Sequence, residues 1–355
     1  MRPPFFAEYE AIARQVPTAV WQELEGCRLF LTGCTGWFGR NLLETIAHAN
    51  AQLGTRIEVT VLTRTPERFA HSAPHFADAP WITLHAGDVR DFRFPAGRHS
   101  HILHAATSSA HETSAGETGL AKFDTLVGGT RRVLEFATTC GTEYLLFTSS
   151  GVAGNPTSGG VMAEDDPGAP LTTDPATALG QGKRAAEFLC SYFGELHGWH
   201  TTIARCFSFV GPFMPLDLHY AIGNFIKQAL AGHPIIVKGD GSPLRSYLYT
   251  GDLVIWLLTM LTRKGSPRIY NVGSDHAISI RDLAHLVRDE LAPESEVRIL
   301  GQAGISVGNP VRNIYVPNIE RARRELELAD WTDLASAIKR TAAQTAEQEA
   351  ITNPT

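Results

Sequence analysis

The stretch "LTGCTGWFGR", residues 31–40, is the part of the sequence that is most informative about the fold. It joins the apolar run "CRLFLTG" (27–33) to "RNLLETIAHANAQL" (40–53), which has helical spacing. Its three glycines, spaced three residues apart, permit a tight turn and let the backbone approach a phosphate group, while the start of the helix supplies unpaired N–H donors. A strand, a glycine turn and a helix in this order predict a site for the pyrophosphate of a dinucleotide.

Further apolar runs follow, separated by helical patterns and turn residues. The runs that we interpret as strands are 57–64, 81–88, 101–107, 143–150 and 200–207. Strands that alternate with helices predict an α/β fold, here a Rossmann-type doubly wound parallel sheet. After residue 208 prolines and glycines interrupt the alternation, and we expect a smaller, mostly helical C-terminal lobe over the carboxyl ends of the strands, where ligands of such sheets bind.

These patterns predict four parts of the chain. They are an N-terminal helical extension (1–26), a dinucleotide-binding domain (27–207), a substrate-binding lobe with segments that return to the main domain (208–340), and a C-terminal tail (341–355).

Composition excludes several classes of partner. A net charge of −6 gives no electrostatic reason to expect nucleic acid or an anionic membrane. The five cysteines are odd in number and have no paired spacing, which favours a reducing compartment and argues against a zinc site. No apolar run reaches membrane-spanning length, and the N-terminus lacks the apolar core of a signal peptide. We therefore expect a soluble, cytoplasmic protein without a metal.

Two later strand ends extend the site predicted at the glycine turn. The third strand ends in Gly87-Asp88-Val89, where a carboxylate and backbone can meet an adenine ring. The fourth ends in Ala105-Ala106, which is small enough for a dinucleotide to lie against. Together with Gly33, Gly36 and Gly39, these residues predict a path across the sheet.

The residue after the second strand bears on the choice between NAD and NADP. An acidic residue there would hold the ribose 2′-hydroxyl of NAD. The chain has Thr63-Arg64 instead, and an arginine can pair with the 2′-phosphate of NADP. The pattern leans slightly to NADP; the alternative is that Arg64 is a solvated residue that opens the next loop.

Eight motifs in a fixed order carry a resemblance to a known family. They are "TGCTGWFG", "GDVRD", "HAA", "FTSSGVAG", "GQGKRAAE", "RCFSFVGP", "GDGSPLRSYLYTGDL" and "YNVGS". Over roughly residues 27–340 the chain resembles the extended short-chain dehydrogenase/reductase family, in its NAD-dependent epimerase/dehydratase group acting on nucleotide sugars. Members similar to dTDP-glucose 4,6-dehydratase and UDP-glucose 4-epimerase are the nearest in pattern.

The resemblance implies roles for individual residues. The backbone of Trp37 and Phe38 would contact the pyrophosphate, and Lys183 would hold the nicotinamide ribose. Ser149 would bond the sugar hydroxyl that is oxidised. The full set expected to contact the dinucleotide is Gly33, Thr35, Gly36, Trp37, Phe38, Gly39, Arg64, Asp88, Val89, Ala105, Ala106 and Lys183.

Other residues are expected on the substrate side. Arg245 would clamp the nucleotide's phosphates, because a guanidinium fork suits a diphosphate, and Arg312 would add a second contact. The alternative for Arg245 is a structural ion pair with Asp252. The remaining positions expected at the sugar pocket are Ser150, His111, Ser208 and Asn224.

One departure from the family concerns the chemistry directly. Leu179 stands four residues before Lys183, where the family has a tyrosine that takes the proton from the sugar. Such a base typically contributes about 10²–10⁴-fold to the rate. The other departures also fall near the sugar ring: Ala153, Ser208, Val210 and Ser150-Gly151. We interpret them together as a reshaped pocket.

Several groups are candidates for the replacement base. Ser149 close to Lys183 could relay a proton, and His111 or His219 could titrate near neutrality. A bound water or the substrate itself could also serve.

The sequence leaves three functions open. The chain is an NAD(P)-dependent epimerase, dehydratase or reductase of a nucleotide-linked sugar, a catalytically silent binding protein, or an enzyme of the same fold that acts on a non-sugar natural-product intermediate. The resemblance also implies a homodimer, formed through the helices in residues 112–140 and 180–197.

Overall fold

The computed structural model describes residues 6–107, 116–154, 160–218, 220–301 and 313–352. The chain forms two compact units. The first comprises Met1–Ala153, Pro170–Cys206 and Val254–Tyr270, and the second comprises Gly154–Ala169, Phe207–Leu253 and Asn271–Thr355. Among the described residues, none of the helices combines the length and the apolar character needed to cross a membrane.

Fourteen strands are assigned within the described residues, and most of those in the second unit are only two or three residues long. They are β1 (Arg28–Thr32), β2 (Glu58–Thr63), β3 (Ile82–Ala86), β4 (His101–His104), β5 (Tyr144–Ser150), β6 (His200–Cys206), β7 (Phe209–Val210), β8 (Ile235–Val237), β9 (Leu244–Arg245), β10 (Leu248–Tyr249), β11 (Arg268–Val272), β12 (Ile278–Ser279), β13 (Val297–Ile299) and β14 (Ile314–Tyr315).

The α-helices of the described ranges are numbered in the same way. They are α1 (Phe6–Gln15), α2 (Thr18–Leu24), α3 (Trp37–His48), α4 (Pro66–Ser72), α5 (Pro74–Ala77), α6 (Gly119–Ala137), α7 (Ala178–His197), α8 (Ala221–Leu230), α9 (Thr250–Leu261), α10 (Ile280–Leu291), α11 (Glu320–Leu326) and α12 (Leu334–Thr352).

A seven-stranded sheet with the order β11-β6-β5-β4-β1-β2-β3 organises the first unit. The pairs from β3 across to β6 are parallel, and Thr32 of β1 lies opposite both Leu62 of β2 and His104 of β4. The strand order reverses between β1 and β4, which opens a crevice at the carboxyl ends of these two strands. The predicted Rossmann-type α/β fold is confirmed, and the predicted strands match within one to three residues at each end.

The core of this sheet is aromatic on the face that α6 and α7 cover. Phe30, Phe92 and Phe136 form one buried group, with centroids 4.7–5.9 Å apart. Phe147 of β5 belongs to the same fully buried cluster. Burial of aromatic side chains on this scale anchors β1, β4 and β5 against the two helices, and it holds the strand ends in place.

The N-terminal extension packs on the first unit through specific bonds. The predicted N-terminal helical extension divides into α1 and α2, because Pro17 cannot continue a helix from the preceding turn. The Tyr9 hydroxyl donates to Asn41 of α3 at 3.1 Å, and the Tyr144 hydroxyl donates to Glu23 at 2.7 Å. The extension therefore buttresses α3 and the start of β5.

In the described part of the second unit, residues in helices outnumber residues in strands. Its short strands form small separate groups: β10 with β7, β13 with β8, and β9 between β12 and β14. The apolar faces of α8 and α10 pack on each other and on β8, with Ile226 and Leu283 fully buried. This arrangement matches the predicted mostly helical composition of the C-terminal part.

Candidate active site

The glycine turn after β1 is pressed against the end of β4. Gly33 has φ of +74°, a conformation that side chains rarely adopt, and a Cβ built on it would lie 2.4 Å from the carbonyl oxygen of Ala105. A Cβ on Gly39 would overlap the backbone of Cys34. The turn therefore needs glycine at both positions, and the structure brings it together with Ala105-Ala106 at the switch point of the sheet.

Thr32 fixes this contact from the last position of β1. Its carbonyl accepts from the Ala105 amide and its hydroxyl accepts from the Ala106 amide, each at 3.1 Å. The ring of His104 lies between Thr32 and Thr130, with nitrogen–oxygen distances of 2.7 and 2.9 Å. Burial lowers the pKa of His104 to about 3, so the ring is neutral. The sequence reasoning missed this buried polar chain.

The first turn of α3 presents backbone donors beside the glycine turn. The Arg40 amide bonds the Gly36 carbonyl at 2.9 Å, so the amides of Trp37, Phe38 and Gly39 precede the first bond within the helix. The N-cap residue of this helix, Gly36, has no side chain to cap it, and Thr35 and Gly36 are exposed. Uncapped amides at a helix start are suited to an anion such as a pyrophosphate, so the residues fit the expected group.

The ends of β2 and β3 carry the residues predicted for the adenosine half. Arg64 is exposed directly after β2. The Asp88 carboxylate accepts from Arg90 Nε at 2.8 Å and Nη2 at 3.1 Å, and this bonding, with a smaller effect of the Arg64 charge, lowers the pKa of Asp88. Val89 packs its side chain on Gly129 of α6, so it offers a ligand only its backbone.

Leu179 and Lys183 lie one turn apart on α7, so both face the same side of the helix. Lys183 is 4% exposed. Its Nζ donates to the Thr148 carbonyl at 2.7 Å and lies 4.8 Å from the centroid of the Phe147 ring. Burial lowers the pKa of Lys183 to about 8. Leu179 is half-buried and carries no titratable group.

Ser149 belongs to a buried ionic cluster. Its hydroxyl donates to Glu187 Oε1 at 2.5 Å, and Glu187 also accepts from Arg205 Nε at 2.9 Å and Nη2 at 2.8 Å. All three side chains are less than a tenth exposed. The hydrogen bond of Ser149 thus goes to Glu187, one turn beyond Lys183. The motif "GQGKRAAE" contained Glu187, but its pairing with Arg205 on β6 could not be read from spacing.

Ser150, at the end of β5, is the other serine predicted here. It is half-buried. Successive side chains of a strand point to opposite faces, so Ser150 faces away from the side on which Ser149 meets Glu187.

The substrate residues predicted in the second unit lie on separate elements. Arg245, half-buried on β9, donates from Nη1 to the Leu244 carbonyl at 2.7 Å and to the Asn313 carbonyl at 3.4 Å. The alternative ion pair with Asp252 is wrong: the Asp252 carboxylate accepts from the Thr332 amide and hydroxyl at 2.8 and 3.1 Å.

Two further predicted residues of this unit have structural contacts. The side-chain amide of Asn224 donates to the carbonyls of Leu218 and Tyr220 at 2.7 and 3.0 Å and so holds the turn before α8. The Ser208 carbonyl accepts from the Leu248 amide at 3.0 Å, which joins β7 to β10. The predicted residues His111, His219 and Arg312 lie outside the described residues.

Comparison with known proteins points to one family. The model of the NAD dependent epimerase/dehydratase family matches residues 29–273. A UDP-glucuronic acid decarboxylase 1 of Danio rerio is 31% identical over 175 residues, which are 49% of this chain and 41% of that protein. Its counterpart in Arabidopsis thaliana is 25% identical over 314 residues, 88% of this chain and 68% of the relative. Against the first of these the match spans about two fifths of the relative's length.

Solved structures share the fold. The dTDP-glucose 4,6-dehydratase DesIV of Streptomyces venezuelae, crystallised with NAD, superposes with a TM-score of 0.73 at 23% identity, covering 91% of this chain and 98% of that one.

Proposed function

Because the chain belongs to the NAD-dependent epimerase/dehydratase family, we propose that it binds a nicotinamide dinucleotide and acts on a nucleotide-linked sugar. The observation that carries the proposal is the turn at Gly33, pressed on Ala105 beside the uncapped start of α3. In this proposal the amides of Trp37 and Phe38 hold the pyrophosphate, and Lys183 holds the nicotinamide ribose. The bound nicotinamide would accept a hydride from a sugar carbon.

Arg245 is proposed to hold the phosphates of the nucleotide sugar. Its guanidinium is half-buried and bonds backbone carbonyls, and no carboxylate is bonded to it among the described residues. Burial lowers its pKa, but an arginine stays charged throughout the physiological range. A half-buried cation that is bonded to no carboxylate can hold a bound anion. Two relatives are named for UDP-glucuronic acid. The substrates to test therefore include nucleotide-linked sugar acids.

Leu179 supports a second candidate function. Without a tyrosine hydroxyl at this position the protein could hold dinucleotide and nucleotide sugar without turnover. A leucine at position 179 is also compatible with an enzyme of the same fold that acts on a non-sugar intermediate. Such an enzyme would not need Arg245 to hold phosphates.

The experiment begins with binding and proceeds to turnover. Calorimetry with NAD⁺ and NADP⁺ tests the dinucleotide site; a panel of UDP- and dTDP-linked sugars and sugar acids is then followed by nicotinamide absorbance and product mass. We expect dinucleotide binding, and turnover of at least one sugar. Binding of both ligands without turnover would favour the silent protein, and binding of neither dinucleotide would end the proposal.

A matched pair of variants tests the role of Arg245. Arg245→Met should weaken nucleotide-sugar binding by at least tenfold, because the diphosphate loses a charge-assisted partner. Arg298→Met, which removes an exposed arginine paired with Glu296 on the same unit, should leave binding unchanged. Equal nucleotide-sugar binding by the two variants would favour a non-sugar substrate.

We also propose that the protein forms a homodimer through α7. Phe188, Tyr192 and Leu196 recur every four residues and are 55–66% exposed, and the Phe188 and Tyr192 rings stack at 6.0 Å. Such a stripe on a long helix is suited to a two-fold pairing with its own copy, in which the same patch meets itself.

A further inference from the structure

Lys183 lacks a carboxylate partner although a carboxylate lies on the next turn of its helix. Its Nζ donates to a neutral acceptor, the Thr148 carbonyl. Glu187, four residues on, gives its oxygens to Arg205 and Ser149 instead. Within the described ranges no ion pair includes Lys183. The buried ion pair between α7 and β6 therefore leaves the amine without a directly bonded counter-ion.

Three titratable groups near this amine, two cysteines and a histidine, are uncharged. Burial raises the pKa of Cys206 on β6 to about 12 and raises that of Cys190 on α7 as well, and it lowers the pKa of His104 on β4 to about 3. Glu187 and Arg205 are charged and pair with each other, and the Glu187 charge raises the pKa of Lys183 by less than burial lowers it. Desolvation thus dominates and disfavours the ammonium.

We infer that Lys183 is itself the proton acceptor of the reaction, in the role that Leu179 cannot fill. The inference rests on the proposed function and goes beyond it. A neutral amine has two N–H donors and one lone pair; one N–H holds the Thr148 carbonyl, and the lone pair is available for a proton. The hydroxyl of Ser149 already donates to Glu187, which makes it a poor relay to Lys183.

The step balances with the cofactor of the proposed function. The O–H bond of a sugar hydroxyl breaks, its proton forms the third N–H bond of Lys183, and the hydride from the same carbon reduces NAD⁺ or NADP⁺, the two-electron oxidant. Arg205 is a positioning residue in this account, because it keeps Glu187 away from the amine.

The first test measures the titration of Lys183 directly. Protein labelled with ¹³C at the lysine ε-carbon is titrated by NMR, and the Lys183 signal is identified by its loss in Lys183→Met. We expect this signal to titrate about two units below the ordinary lysine pKa of about 10.4. A Lys183 signal that titrates at the ordinary value would overturn the inference, whatever the activity of the protein.

A variant pair tests the part of Arg205. Arg205→Met frees Glu187 to pair with Lys183, so the pKa of Lys183 should rise by one unit or more. Glu187→Gln/Arg205→Met removes both charges, so the low pKa should persist. This double variant also guards against misfolding, because it leaves no buried charge unpaired. Identical titration in the two variants would refute the positioning role of Arg205.

The second test uses turnover. Lys183→Ala should lose about 10²–10⁴-fold in hydride transfer, and added primary amines should restore part of the rate, with more basic amines restoring more. Lys227→Ala, which removes an exposed lysine of the second unit, should have the wild-type rate. The wild-type rate should rise with pH to a plateau just above the pKa of Lys183. In Leu179→Tyr this rise of the rate should occur at a different pH.

The outcomes separate this inference from the proposed function. Turnover by the wild type without amine rescue of Lys183→Ala would overturn the base role alone and leave the function standing. Dinucleotide and sugar binding without any hydride transfer would overturn both.

Discussion

At the scale of the residue, a substitution at Gly33 should affect both stability and dinucleotide binding. Gly33→Ala places a Cβ 2.4 Å from the Ala105 carbonyl and imposes φ of +74° on a residue with a side chain. We expect a loss of about 2–4 kcal/mol in the free energy of unfolding, from strain plus overpacking, and loss of NAD(P) binding. Chemical denaturation and calorimetry measure the two effects.

Gly54→Ala is the matched control for Gly33. Gly54 has nearly the same φ, +72°, and a Cβ added to it would have no neighbouring atom within 4 Å. Gly54→Ala should therefore lose only about 1–2 kcal/mol in the free energy of unfolding, from backbone strain alone. It should bind the dinucleotide normally. If the two variants lost equal stability, the close approach to Ala105 would not be a determinant of the turn.

Asp252 predicts a dependence of stability on pH. Burial raises its pKa to about 6, above the ordinary value of about 3.9. A raised folded-state pKa contributes stability that is complete below about pH 4 and is lost as the pH rises through about 6. The uncharged side chain of Asp252→Asn can accept from the Thr332 amide and donate to the Thr332 hydroxyl, so the variant should be more stable than the wild type by about 2–3 kcal/mol at pH 8 and equal to it at pH 4.

Denaturation of both proteins across this pH range measures the difference. Asp333→Asn, an exposed carboxylate next to the same turn, should gain no stability as the pH rises. A constant difference between Asp252→Asn and the wild type would mean that the carboxylate of Asp252 titrates at its ordinary pKa.

At the scale of the element, α7 serves two purposes on its two faces. Its buried face includes Gly182, which packs closely on Leu126 of α6, and Lys183 and Glu187 of the site. Its outer face carries the stripe of Phe188, Tyr192 and Leu196. Phe188→Glu should dissociate the proposed dimer, weakening association by at least about 30-fold as for other interface aromatics.

Sedimentation velocity decides this prediction. Leu300→Glu changes an equally exposed apolar residue of the second unit and should leave the dimer intact. A wild type that sediments as a monomer at micromolar concentration would end the proposal that α7 is the interface.

At the scale of the whole molecule, ligand binding should appear as stability. A dinucleotide that binds only the folded chain adds about 2.7 kcal/mol to the free energy of unfolding at a hundredfold excess over its Kd. NAD⁺ and NADP⁺ at equal concentration should therefore raise the Tm by different amounts, and Arg64→Asp should reduce the shift with NADP⁺ more than that with NAD⁺. Unchanged Tm with both cofactors would contradict the dinucleotide site.

The architecture of the parallel sheet follows from local patterns in the sequence. Apolar runs of strand length, helical spacing between them and glycines three residues apart are local patterns, and the parallel sheet and its switch point follow from them through general rules of connection. The position of Leu179 four residues before Lys183 is likewise visible in the sequence, because it depends only on spacing along one helix.

The hydrogen-bond partners of the polar side chains depend on the tertiary structure. Lys183 bonds Thr148 35 residues away, Glu187 meets Arg205 across 18 residues and Ser149 across 38, and Asp252 bonds Thr332 80 residues on. A periodic pattern shows which face of an element is buried, but a hydrogen bond needs donor and acceptor within about 3 Å. That distance is set by how neighbouring strands and helices are placed against one another, and this placement is a property of the assembled core.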